Sequence, residues 1–308
     1  MNESLRTLRQ GQCGFTLAEI AIVTLILGLM VVGVLGAVTN QINQARVSAT
    51  QRQLEEIREA LLGFAAAKGY LPCPDTDSPA DGIENERFVG TVGQRSATNE
   101  GIACVSEEGF LPWVTLGVPS TDAWGVRFRY RLKDEFARAT ATSGGPAGGL
   151  APTGVCKAIA SVTESAEPTP TSDPNNCTLD IQDSGDIRID TRGAASGKAL
   201  VTMAGGNAIS GIGIPVVIMS FGKNSYGGVD ASGNQRPLPP AANVDENTNY
   251  NTAKTVGAPV FVSRISKDAE TPCIDSTAAG PLCEFDDIVT WISTPVLISK
   301  MIQANRLP

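Results

Sequence analysis

The feature that most narrows the folds open to this chain is a run of about 24 residues, Phe15 to Val38, reading FTLAEIAIVTLILGLMVVGVLGAV and almost wholly apolar. As a helix rising about 1.5 Å per residue, it is long enough to cross about 30 Å of hydrocarbon. A secretory signal has a shorter apolar core and ends in an A-x-A-like site, and Gly36-Ala37-Val38 is a poor one. A helix in the core of a soluble domain is seldom apolar on every face. A plain anchor accounts for the run but leaves Glu19 unexplained, because a charge inside an apolar span is costly and usually marks function. Arg6 and Arg9 on the short N-terminal side predict that this side stays in the cytoplasm and that residues 39 to 308 are exported.

The helical pattern continues past the apolar run. Asn40 to Lys68 contains no proline and one glycine, Gly63. Val47, Leu54 and Leu61 recur every seven residues, with Thr50, Ile57 and Phe64 on the adjoining stripe. Ile57, Leu61 and Phe64 have the spacing of one buried helical face. Arg52, Glu55, Arg58 and Glu59 lie opposite, with Arg58 three residues from Glu55 and in reach of a weak pair. The spacing predicts one helix of about 54 residues, near 80 Å long, from Phe15 to Lys68. Residues 15–38 suit lipid or a helix bundle, and residues 39–68 suit packing on a globular domain. Glycines 28, 33 and 36 interrupt the first half; they are tolerated there or serve close packing and local melting.

Composition removes whole classes of chemistry. The chain has no histidine, which excludes Ser-His-Asp and Cys-His catalysis and the zinc sets that include His. No phosphate-cradling glycine loop or nucleophile motif is present, and an enzymatic role is not expected. The formal net charge of -8 disfavours binding to a nucleic-acid backbone. The seven cysteines include no C-x-x-C pair, which makes a structural zinc site improbable. Cys13 precedes the apolar run; the other six follow it, an even number that fits disulfides made in the periplasm. Pairing of neighbours in sequence is favoured: Cys73–Cys104, Cys156–Cys177 and Cys273–Cys283, each contributing about 2–4 kcal/mol by restricting the unfolded chain.

Beyond Lys68, Gly69 and the prolines at 72 and 74 end the helix, and a loop rich in Asp, Ser, Gly and Asn runs to about Gly109. Asp122-Ala123-Trp124-Gly125 reads as a turn. Val126, Phe128, Tyr130 and Leu132 alternate with Arg127, Arg129 and Arg131, the pattern of a half-buried strand whose arginines face solvent or, alternatively, form a binding patch. Further strands are expected at Asp186–Asp190, Ala199–Met203, Ile214–Phe221, Val260–Ile265 and Ile288–Ile292, and a last helix at Leu297–Ala304. Thr140 to Gly154, Val162 to Asn176 and Gly222 to Thr252 read as loops. The expected fold class is α+β: a long N-terminal helix on an antiparallel sheet, with residues 69–308 as the globular region.

Gly14-Phe15-Thr16-Leu17-Ala18-Glu19 resembles the processing site of type IV prepilins and type II secretion pseudopilins. The resemblance implies a leader of residues 1–14, cleavage after Gly14 by a prepilin peptidase, and methylation of Phe15. It implies that Glu19 meets the N-terminal amine of a neighbouring subunit. A pair of opposite charges in low dielectric offsets its own desolvation, which makes Glu19 a register device for assembly. The implied fold is pilin-like, and the implied location is the inner membrane, single-pass, with the C-terminal domain in the periplasm. The implied partners are other pilin or pseudopilin subunits, the inner-membrane assembly platform and, before assembly, membrane lipid. Cys13 stands where many members of this family carry Lys or Arg before the cleavage glycine.

The globular region is similar to that of major pseudopilins at Ser220-Phe221-Gly222-Lys223-Asn224 and at Asp286-Asp287-Ile288 with Trp291. In that family such segments converge on a calcium ion, which takes six to eight oxygens. The resemblance implies carboxylates from Asp286 and Asp287 and neutral oxygens from Ser220 and Asn224. Lys223 and Asn224 stand where acidic residues are often found, and Asp286-Asp287 also reads as a turn cap before the last strand. The leading function is a structural subunit, a minor pilin or pseudopilin. The alternative is a filament-tip adhesin or DNA-uptake module using the arginine face or the loop insertions.

Overall fold

In the computed structural model, which describes residues 16–86, 104–137, 156–158, 177–179, 187–193, 199–201, 214–251, 259–268, 272–273, 275 and 281–305, helix α1 runs Leu17–Lys68. Thr16 and Glu19 cap its start reciprocally. The Thr16 amide and hydroxyl donate to Glu19 Oε2 at 2.8 and 2.9 Å, and the Glu19 amide donates to Thr16 Oγ1 at 3.3 Å. Gly69, with φ +85°, ends it by donating its amide to Ala65 O at 2.8 Å. The chain divides into two units, Met1–Arg46 and Val47–Pro308.

In the first unit the large apolar side chains of α1 are exposed, from Leu17 at 90% to Met30 at 64%. A Cβ added at Gly28 meets nothing within 4 Å. Among the described residues, no helix is long and apolar enough to cross a membrane. The expected span, 15–38, includes Phe15 and residues 31–38, whose side chains lie outside the described set, as do residues 1–14 with Cys13 and Gly14.

In the second unit, Thr50, Leu54, Ile57, Leu61 and Ala65 form the buried stripe of α1, one residue every three or four, as its periodicity requires. Phe64 packs edge-on against Tyr70 with centroids 5.9 Å apart, and the expected Arg58–Glu55 pair forms at 2.8 Å on the exposed face. The stripe shares a core with Phe128, Tyr130, Leu132, Val216, Ile218, Ile292 and Met301. Burial of each such large side chain contributes about 1.5–3 kcal/mol.

The strands facing this stripe form an antiparallel sheet in the order β1-β2-β7-β9, with β1 Glu108–Phe110, β2 Arg129–Leu132, β7 Val216–Ser220 and β9 Ile288–Ile292. Helix α2, Trp113–Leu116, lies between β1 and β2 in sequence, and helix α4, Thr294–Gln303, follows β9. The expected antiparallel sheet is thus present, and the architecture is mixed helix and sheet. A second sheet, in the order β6-β5-β8, joins β6 Ala199–Val201, β5 Arg188–Asp190 and β8 Val260–Val262. Its β5 and β8 run parallel, which the expectation of purely antiparallel pairing did not include. Strands β3, Cys156–Ala158, and β4, Cys177–Leu179, pair with each other. Helix α3, Val244–Tyr250, falls inside the stretch read as loop.

The main sheet is covered on both faces. Val216 and Ile218 of β7 join the α1 core, whereas Val217 and Met219 join a second cluster with Ile187, Ile189, Phe221 and Phe261. This corrects the reading of the arginine face as solvated. In register, Arg129 opposes Met219 and Arg131 opposes Val217, and Arg127, Arg129 and Arg131 are 9%, 7% and 5% exposed. Arg127 stacks on Trp113 at 4.3 Å and donates to Ala231 O at 3.0 Å. Arg129 pairs with Glu108 and donates to Asn249 O at 2.9 Å and Tyr250 O at 2.8 Å. Arg131 reaches Glu108 at 2.8 Å and Glu107 at 3.1 Å. These side chains are structural, and the face is not a surface patch for adhesion or DNA.

Two of the expected disulfides are present, Cys73–Cys104 and Cys273–Cys283, with Cα separations of 5.3 and 4.8 Å. The third expected pair, Cys156–Cys177, concerns side chains outside the described set. The expected loops at 140–154 and 162–176 also lie outside it.

Candidate functional site

Three segments meet at the far end of β7: the turn Phe221–Gly228, helix α3, and Glu284–Asp287 leading into β9. Gly222 lets the first approach the third. Its φ is +59°, and an added Cβ would sit 2.2 Å from Asp286 O and 2.5 Å from Asp286 Oδ1. Asn243 caps α3, its Oδ1 accepting from the Glu246 amide at 3.2 Å and its Nδ2 donating to Glu246 Oε2 at 2.8 Å.

The result is a convergence of carboxylates. One oxygen each from Glu246, Asp286 and Asp287 lie within 4.8 Å of one another. Asn224 holds two of the groups, its amide donating to Asp286 Oδ2 at 2.7 Å and its Nδ2 to Glu246 Oε1 at 2.8 Å. Asn249 Nδ2 donates to Asp287 Oδ2 at 2.8 Å. Asp286 Oδ1 is buried and has no hydrogen-bond partner among the described residues. Burial, and then the charge of Asp286, push Glu246 up to about 8. Burial, and then the charge of Glu284, push Asp286 up to about 7. Carboxyls so placed hold protons near neutrality unless a cation takes their place.

The residue set fits a hard divalent cation. It supplies carboxylate oxygens and no sulfur or imidazole, and one buried carboxylate oxygen is left open. Of the residues expected from the sequence, Asp286 and Asp287 do come together. Adjacent residues point to opposite faces only within a strand, and these two precede β9. Asn224 contributes its N–H groups, while its Oδ1 accepts from the Tyr226 amide at 3.0 Å. Ser220 is turned elsewhere: its hydroxyl donates to Asp122 Oδ2 at 2.6 Å and accepts from the Gly222 amide at 3.2 Å. Lys223 is exposed, and its charge draws Asp286 down only in part.

Glu246 escaped the sequence reading. Its signal was Asn243-Val244-Asp245-Glu246, a capping pattern buried in a stretch whose prolines and glycines read as loop. The Thr16–Glu19 pattern, T-x-x-E, was likewise open to view and gives Glu19 a helix-capping role within its own chain. A second acidic group, Asp75, Asp77 and Asp81, is organised by its own loop: Asp75 accepts from the Asp77 amide at 3.0 Å and the Gly82 amide at 2.6 Å.

Comparison with family models, with curated proteins and with solved structures finds no match to this chain.

Gly222→Ala tests the close approach at the site. A non-glycine residue in this left-handed conformation costs about 1–3 kcal/mol, and the clash with Asp286 adds to it. Gly233, at φ +87° with nothing within 4 Å of an added Cβ, supplies the control. Gly222→Ala is expected to lower the thermal midpoint well beyond Gly233→Ala. Equal losses would mean that the turn yields freely and that contact with Asp286 is unimportant.

Proposed function

We propose that this chain is a membrane-anchored subunit of an extracytoplasmic filament. Within that class it is a minor pilin or pseudopilin, processed after Gly14, methylated at Phe15 and assembled through α1. The observation that carries this reading is the first part of α1, whose apolar side chains from Leu17 to Met30 are exposed around a single charge, Glu19. So much apolar surface needs lipid or neighbouring helices to cover it. Among the described residues the carboxylate of Glu19 accepts hydrogen bonds from Thr16, and an incoming N-terminal amine supplies it with an opposite charge. The two disulfides agree with an oxidising compartment. The partners on this reading are a prepilin peptidase, sister subunits, an inner-membrane assembly platform and lipid.

A calcium ion completes the globular unit on this reading, held by Glu246, Asp286 and Asp287. It supplies positive charge to three converging carboxylates and joins α3 to the segment before β9.

Co-expression with a prepilin peptidase, followed by intact mass and N-terminal sequencing of the membrane extract, tests the subunit reading. The expected product begins at Phe15 and is heavier by one methyl group. A chain that still begins at Met1, or one cut near Ala37, overturns it.

A further inference from the structure

Asp245, next to Glu246 on α3, belongs to a buried square of charge separate from the acidic site. Asp245 and Asp275 are fully buried, and Arg192 and Arg264 lie between them. Arg264 Nε donates to Asp245 Oδ2 at 2.7 Å, and Arg192 Nε lies 3.1 Å from the same oxygen. On the other side Arg192 donates to Asp275 O at 2.7 Å and lies 3.6 Å from its Oδ1, while Arg264 lies 3.9 Å from its Oδ2. Arg264 also donates to Cys283 O at 3.1 Å and stacks over Phe285 at 4.5 Å.

The two acids of this square sit on different elements. Asp245 is on α3, next in sequence to Glu246. Asp275 lies inside the loop closed by Cys273–Cys283, where its Oδ1 accepts from the Cys283 amide at 2.9 Å. The same loop touches the start of α3 directly: the Asp275 amide donates to Ala242 O at 3.4 Å, and Cys283 Sγ lies 3.3 Å from that oxygen. Cys283 also begins the short segment that ends in Asp286 and Asp287. Both elements that supply carboxylates are therefore tied to one disulfide loop. Asp275 is the second buried acid between Arg192 and Arg264, and it lies within that loop.

We infer that Asp275 is a positioning residue for α3, and that closure of the Cys273–Cys283 disulfide sets Glu246 against Asp286 and Asp287. This rests on the cation reading of that site and adds its control: the site forms in the oxidised protein and loosens in the reduced one. Partners in the outer shell of a metal site typically govern about 10–100-fold in affinity.

The test uses the full chain in detergent micelles, titrated with calcium chloride by calorimetry, with amide exchange of α3 followed by mass spectrometry in chelator. Cys273→Ser/Cys283→Ser is expected to bind calcium about tenfold or more weakly and to exchange its α3 amides faster. Asp275→Asn, with the disulfide intact, shifts both readouts in the same direction and carries the test if the cysteine variant does not fold. Cys73→Ser/Cys104→Ser, which opens the loop beside the α1 core, controls for loss of stability and leaves both readouts unchanged. Wild-type values for calcium and α3 exchange in the first two variants overturn the inference. Equal weakening by both cysteine variants overturns it as well. If the wild type binds no calcium, the cation reading falls and the inference is decided by exchange alone: faster in Cys273→Ser/Cys283→Ser than in Cys73→Ser/Cys104→Ser supports it, and equal rates overturn it.

Discussion

Glu108→Ala is expected to cost about 3–5 kcal/mol of folding stability. Glu108 is the carboxylate between Arg129 and Arg131, and its side chain is 9% exposed. Burial, and then the charge of Arg131, already pull Arg129 down to about 10. Removing Glu108 takes from buried Arg129 its paired carboxylate beside the charge of Arg131, and leaves Arg131 with Glu107. Arg129 also holds the carbonyls of Asn249 and Tyr250, so the end of α3 loosens with it. Glu107 is the internal control. Its side chain is 31% exposed and lies 3.1 Å from Arg131, and its removal is expected to cost about 1 kcal/mol or less. Denaturant unfolding of both variants measures the difference, and equal costs would mean that the inner pair contributes no more than an exposed one.

In the presence of chelator, stability is expected to fall as pH rises from about 4 to 8, by an amount on the order of a few kcal/mol. Glu246 and Asp286 titrate near about 8 and about 7 in the folded chain and near their ordinary values, 4.5 and 3.8, once unfolded. Between those limits the folded state keeps protons that the unfolded state has released. Raising the pH therefore favours unfolding across the window, and the fall ends above the folded values. Asp122, raised by burial, acts in the same direction. On the proposed cation reading, calcium held by the charged carboxylates flattens the profile, most strongly at its alkaline end. Glu246→Gln should flatten part of it without calcium. Thermal midpoints between pH 5 and 8, with calcium and with chelator, decide the matter. A chelated protein that grows more stable toward pH 8 would remove the acidic cluster as the controlling feature.

The local elements were legible because their signals repeat within a few residues. The proline-free run with its seven-residue recurrence marks α1, whose end at Lys68 coincides with the expected one. Ile288–Ile292 was bounded correctly by its β-branched and aromatic content after two acids. Neighbouring cysteines paired as expected at Cys73–Cys104 and Cys273–Cys283. Alternation in and just before β2 separated Phe128, Tyr130 and Leu132 from the three arginines, whereas Val126, expected on the same face, joins the second cluster with Val217 and Met219.

What covers the second face of that strand is a different kind of information. Arg129 meets Asn249, 120 residues further along the chain, and nothing in a window of seven residues distinguishes a guanidinium in water from one capped by a distant helix. The same holds for the site. Asp286 and Asp287 stand side by side in sequence, whereas Glu246 reaches them from α3, whose Asn249 donates to Asp287 and whose Asp245 accepts from Arg264. Ser220 follows the opposite course, drawn to Asp122, 98 residues earlier. By itself the sequence determined the long helix, the Cys73–Cys104 and Cys273–Cys283 pairs, and the alternation of Phe128, Tyr130 and Leu132 with the arginines. Only the tertiary structure decided which polar groups are buried together, because desolvation makes each of them seek whatever partner the folded chain brings within about 3 Å.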